Sequence, residues 1–107
     1  MSTVSLTLNE ILDLAKKTLL ANGCDDETAS ILAELIMKAE RDGSLSHGLF
    51  RLPAYISGLK SGKINGKARP EVKKISSSVI KVLGNNCLAP MVLNKGLPEL
   101  IKAAKEN

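Results

Sequence analysis

The chain has 107 residues, 44% of them hydrophobic, which allows one small domain with a modest core and excludes a second full domain. Phe50 and Tyr55 are its only aromatic residues, so the core is built from Leu, Ile, Val, Ala and Met, and the stacking platforms used for single-stranded nucleic acid are scarce. The net charge of +4 is uneven: Met1 to Asp42 carries four Lys/Arg against eight Asp/Glu, and Gly43 to Asn107 carries eleven against three, or −4 and +8.

A basic second half suits a polyanion, an acidic partner surface or an anionic small molecule. Cys24 and Cys87 lie far apart, without metal-ligand spacing and without a neighbouring histidine, so both read as ordinary buried thiols and no metal site is expected. Met1 to Thr7 lacks the basic-then-apolar pattern of a secretory signal, and no apolar run reaches the ~18 residues that cross a bilayer. A cytoplasmic protein with no membrane partner is the default expectation.

Thr7 and Glu10 form a capping-box pattern, after which Leu8, Ile11, Leu12, Ala15 and Leu19 recur at helical spacing until Gly23. The acidic cluster Asp25, Asp26 and Glu27 suits the positive end of a second helix, with Ala29, Leu32, Ala33 and Ile36 on one face, running to about Arg41 and stopped at Asp42-Gly43. The two make an αα-hairpin. A polar segment, Ser44 to Gly48, leads to a short third helix that starts near Leu52-Pro53, ends at Gly62 and turns Tyr55, Ile56 and Leu59 inward.

Lys63 to Pro70 reads as an exposed loop, and the basic stretch Lys60, Lys63, Lys67, Arg69, Lys73 and Lys74 as solvated. Val72 to Ile75 and Val79 to Val82 favour strands of a small antiparallel unit, followed by a turn at Gly84-Asn85-Asn86. A lone strand pair is marginal in water, so the sheet is expected to be completed by something outside this sequence. From Pro90 to Glu106, Leu93, Leu97, Leu100, Ile101 and Ala104 keep helical spacing across Gly96 and Pro98, which predicts a kinked helix or two pieces. The fold class is therefore α+β and mostly helical, a single segment over 1–107 with helices in 1–70 and the strand pair plus a helix in 71–107. The end at Lys105-Glu106-Asn107 carries no closing cap, as if the chain were cut there.

His47, the only histidine, stands in Ser46-His47-Gly48, and Arg51 follows four residues later. Helical spacing would bring the two onto one face. Histidine, with a reference pKa of ~6.5, exchanges protons at neutral pH, and the arginine fork binds a carboxylate with two parallel hydrogen bonds. A 2-oxoacid presents both a carboxylate and an adjacent oxygen that takes up a proton on reduction. On spacing alone, a helix cap at His47 and a surface-covering Arg51 is the favoured reading, since many such pairs do nothing.

The run Asp42-Gly43-Ser44-Leu45-Ser46-His47-Gly48-Leu49-Phe50-Arg51-Leu52-Pro53-Ala54-Tyr55 resembles the malate/L-lactate dehydrogenase family, whose nicotinamide-dependent members lack the usual Rossmann fold. The resemblance extends from the first helix and Ala-Asn-Gly before Cys24 to Ala103-Ala104-Lys105. It departs at Leu83, where the family commonly has Asp, at Ala89, where it commonly has Gly, and at Gly96 and Pro98.

The resemblance implies the N-terminal part of a larger sulfolactate-dehydrogenase-like fold, in an NAD(P)-dependent enzyme that interconverts 2-hydroxyacids and 2-oxoacids. It implies that His47 donates a proton to the substrate oxygen, that Ser46 hydrogen-bonds near it and that Arg51 orients the substrate carboxylate. A later histidine and an aspartate of the family lie outside these residues, and that histidine is the alternative acid/base group. NAD(H) or NADP(H) would be bound mainly by a portion not included here, since no Gly-x-Gly-x-x-Gly loop occurs in the chain. The segment alone is expected to be inactive, and the full-length protein to be a homodimer that binds a small 2-oxoacid and no nucleic acid.

Two readings from other classes compete. The first two helices could be drawn as a helix-turn-helix DNA-binding module, but Asp25, Asp26, Glu27, Glu34 and Glu40 would set like charge against phosphates. Apolar helix faces with Met37 and Met91 could instead make a protein-interaction module.

Overall fold

A computed structural model describes residues 5–107. Helix α1 spans Leu8–Ala21, and its capping box forms as expected: the Thr7 Oγ1 accepts from the Glu10 N–H at 3.1 Å, and the Glu10 carboxylate accepts from the Thr7 N–H at 2.9 Å. Helix α2 spans Asp26–Arg41, with Asp25 as N-cap accepting from the Thr28 N–H at 3.0 Å. Gly23 and Gly43 follow the two helices with φ of +105° and +78°, the left-handed backbone that glycine adopts without steric penalty.

The antiparallel pair buries Ile11, Ala15 and Leu19 of α1 against Ala29, Leu32, Ala33 and Ile36 of α2, and Leu52 and Leu88 close the same core. Gly66 lets the following loop lie directly on the α1–α2 turn: its carbonyl accepts from the Asp25 N–H at 3.0 Å, and a Cβ there would stand 2.8 Å from the Cys24 Cα. Cys24 is buried, and burial, helped by the Asp25 charge, raises its thiol above the ordinary range, so it stays protonated. Cys87 is only half-buried, which corrects the expectation of two buried thiols.

Residues 44–51 do not form a regular α-helix. Two 3₁₀ turns, Leu45–His47 and Leu49–Arg51, meet at Gly48 and run into α3, Leu52–Ser61, which ends on the left-handed Gly62. Tyr55, Ile56 and Leu59 of α3 pack half-buried against the core. Strands β1, Glu71–Ser76, and β2, Val79–Leu83, pair antiparallel with Val72 opposite Val82, and a bulge between Lys74 and Ser76 takes up Ile75. Asn85 and Asn86, at φ of +52° and +62°, make the expected turn.

Helix α4 runs unbroken over Ala89–Glu106, so the expected alternative of two pieces does not occur. Pro98 removes one N–H, but both Pro98 and Asn94, four residues earlier, are on the exposed side, where water can take the freed carbonyl. Gly96 is buried because α4 lies on β2 there; a Cβ would come within 2.6 Å of the Val82 Cγ2. The strand pair, two-stranded among the described residues, thus has α4 behind it.

Arg69 corrects the reading of the basic stretch as solvated. Its guanidinium reaches Asp25 at 2.8 Å and Glu27 at 2.9 Å, and Lys95 of α4 pairs with the same Glu27. Two of the eleven cations of the second half, Arg69 and Lys95, thus pair with carboxylates of the first. Partial desolvation pushes the Asp25 carboxyl up, but hydrogen bonds from Thr28 and Arg69 outweigh it and hold it below its ordinary 3.8. The Lys95 hydrogen bond, then the Arg69 charge, hold Glu27 below 4.5.

Carboxylates depressed in the folded state contribute stability that is complete above their ordinary values and is lost as pH falls through the folded ones. Arg69→Ala is accordingly expected to lower the melting temperature at neutral pH, and the gap to wild type should close below about pH 4. Thermal melts of both proteins across that range check it; a gap that persists at low pH would mean that Arg69 acts through packing.

No described helix is long and apolar enough to cross a membrane. The molecule is elongated, 54 × 30 × 21 Å, with a radius of gyration of 15.7 Å against ~13 Å for a compact domain of about 100 residues.

Candidate active site

The 3₁₀ turns, rather than a helix, bring Ser46, His47 and Arg51 together. The Arg51 Nη2 lies 3.4 Å from the His47 Nε2, and the Arg51 Nε donates to the Ser46 carbonyl at 2.9 Å. Arginine has only donors, so the His47 Nε2 is the acceptor in this arrangement and Nδ1 carries the proton, donated to the Ser46 Oγ at 3.0 Å. The two contacts occupy the Nε–H and one Nη2–H of Arg51 and leave its Nη1–Nη2 edge for a carboxylate.

All three side chains are exposed. His47 and Arg51, with Leu35, Lys38, Asp42, Ser44 and Tyr55, border an open cleft of ≈ 490 Å³, and Ser46 stands outside its lining. Asp42 is kept ionised by its hydrogen bond from Arg41, at 2.9 Å, which lowers its pKa. A larger groove, ≈ 860 Å³, lies between α1 and α3 against Leu14, Leu52 and Ile56, but it is apolar and holds no acid/base group beyond Lys60. The cleft at His47 is therefore the candidate site despite its smaller size.

Two features escaped the sequence reading. Tyr55, expected on the third helix's inner face and within the family-like run but given no site role, also borders the cleft; its spacing of four from Arg51 is the available signal. Glu40, half-buried in the last turn of α2, accepts from the Leu49 N–H at 2.9 Å, and no local pattern marks a contact nine residues apart. Among the described residues no cluster of three or more His, Cys, Asp and Glu could hold a metal.

The positive ends of α1 and α2 carry their own carboxylates, Glu10 at one and Asp25 and Glu27 at the other, which repel a phosphate there; the first turns of α3 and α4 carry none.

The sequence profile of the malate/L-lactate dehydrogenase family matches residues 6–107, and the chain belongs to that family. It is 39% identical over 103 residues to a Delta(1)-pyrroline-2-carboxylate reductase of Ancylobacter novellus, covering 96% of this chain and 30% of that protein. It is 38% identical to a malate/(S)-sulfolactate dehydrogenase of Methanothermus fervidus, over 83% of this chain and 26% of the relative. The crystal structure of a delta1-piperideine-2-carboxylate reductase from Pseudomonas syringae superposes with a TM-score of 0.89 at 36% identity, over 97% of this chain and 31% of that one. The chain thus spans about 30% of the length of the relatives it matches.

Proposed function

We propose that this chain is the substrate-side part of an NAD(P)-dependent oxidoreductase that interconverts a 2-oxoacid and a 2-hydroxyacid, or reduces a cyclic imine 2-carboxylate in the same way. The observation that carries the reading is the His47–Arg51 pair, 3.4 Å apart at the edge of an open cleft, with a guanidinium edge free for a carboxylate. Both substrate types place a carboxylate beside the C=O or C=N bond to be reduced. Arg51 clamps the carboxylate, which sets the adjacent oxygen or nitrogen beside the imidazole. For reduction His47 must enter as the imidazolium. The bound carboxylate takes over the Arg51 Nη2–H, and the freed Nε2, protonated, gives its proton to that oxygen or nitrogen while Ser46 holds the ring through Nδ1–H. In the oxidising direction the neutral Nε2 takes the proton back.

A nicotinamide cofactor held outside the described residues is the hydride source in this reading. The row Leu93, Leu97, Leu100 and Ile101 along α4, each close to half exposed or more, supports a larger body packed there at full family length. The same reading makes the chain one N-terminal segment, inactive alone, of a cytoplasmic homodimer. Asp25 and Glu27 at the start of α2 take up Arg69 and Lys95, two cations that a polyanion would need, which weighs against a nucleic-acid-binding role.

The test is nicotinamide absorbance change in a dehydrogenase of full family length that carries this chain, offered 2-oxoacids and Δ1-pyrroline-2-carboxylate in parallel, beside the 107-residue chain. Turnover of either class by the long protein and none by the short one is expected. Absence of turnover on both classes would overturn the proposal.

A further inference from the structure

Gly48 is buried where the two 3₁₀ turns meet, with His47 on one side of it and Arg51 three residues beyond. The relative placement of imidazole and guanidinium therefore depends on the backbone at Gly48–Leu49. The Leu49 N–H opens the second turn, and the Glu40 carboxylate of α2 takes it at 2.9 Å. Among the described residues this is the side-chain hydrogen bond that ties the junction to the helical core.

Gly48 has φ of −92° and ψ of −135°, which is not left-handed backbone but lies between the α and β regions, and the space around it is a second reason for glycine. A Cβ there would stand 2.7 Å from the Glu40 Cδ and 2.8 Å from Cγ, and closer still to Oε1. The carboxylate occupies the space that any other side chain would need. It could swing away from a Cβ, but only by giving up the Leu49 N–H.

We propose that Glu40 is a positioning residue for the His47–Arg51 pair, and that Gly48 is glycine in order to admit the Glu40 carboxylate. The inference rests on the functional reading for its effect on turnover and on geometry alone for the coupling of Glu40 to Gly48. Glu40→Ala and Gly48→Ala break the same contact by different routes, so their effects should not add.

The experiment uses the full-length enzyme carrying this chain and four variants: Glu40→Gln, Glu40→Ala, Gly48→Ala and the Glu40→Ala/Gly48→Ala double. Glu40→Ala and Gly48→Ala are each expected to lower kcat ~10-fold, and the double by the same ~10-fold rather than ~100-fold. Glu40→Gln, which keeps a carbonyl acceptor, should restore most of the turnover. The NMR signals of the His47 ring, identified by their loss in His47→Ala, should shift in Glu40→Ala and return in Glu40→Gln.

Wild-type kcat in Glu40→Ala, alongside collapse in His47→Ala, would overturn the proposal, as would an additive double variant. If His47→Ala itself retains turnover, the proton role of His47 falls, and the ring signals decide: a shift in Glu40→Ala upholds the positioning and an unmoved ring refutes it.

Discussion

His47→Ala, in a dehydrogenase of full family length carrying this chain, is expected to lower kcat by ~10²- to 10⁴-fold, the range for loss of a positioned acid/base group. The companion variant Arg51→Lys should act mainly on KM. Lysine keeps the charge but cannot reproduce the fork, whose Nε–H is held at 2.9 Å by the Ser46 carbonyl and whose outer edge is open. Steady-state kinetics on the better of the two substrate classes reads both. If His47→Ala keeps wild-type kcat while Arg51→Lys still raises KM, the carboxylate clamp stands and the proton role passes to a histidine beyond these residues. If neither constant moves in either variant, the cleft is not the substrate site.

Leu32→Ala is expected to destabilise the protein by ~3–5 kcal/mol, a large part of the ~5–15 kcal/mol that holds a typical domain together. Leu32 is wholly buried and faces α1 where Ala15 and Leu19 are also wholly buried. With so many alanines at the α1–α2 contact, few side chains nearby are large enough to fill the space left by truncation. Denaturant unfolding checks it, and Leu35→Ala is the internal control: Leu35 lies on the same helix but is 48% exposed, so its loss should cost less. Equal costs at the two positions would show that the exposed row of α2 is covered in solution.

The two leucines also show where reading the sequence stopped. Capping residues and helical periodicity placed α1 and α2 and their buried faces within a residue or two, because both act between neighbours three or four positions apart. The same periodicity along α4 was equally visible, yet Leu93, Leu97, Leu100 and Ile101 are exposed and the helix turns Met91, Gly96 and Ala103 inward. Spacing identifies an apolar row; it does not say whether anything covers it.

At the site, the sequence by itself determined the candidates for the proposed chemistry: one histidine in Ser-His-Gly and one arginine four positions on, within a run that resembles a known family. How those residues meet was decided by tertiary structure. The α-helical spacing expected for His47 and Arg51 is replaced by two 3₁₀ turns about Gly48, and the pair still meets because Glu40, anchored in α2, holds the junction. Likewise the surplus of positive charge was legible in the chain, but its pairing of Arg69 with Asp25 and Glu27 was not. Contacts such as that one, 42 residues apart, depend on how packed elements are oriented, which the burial of the α1–α2 core imposes and no local pattern encodes.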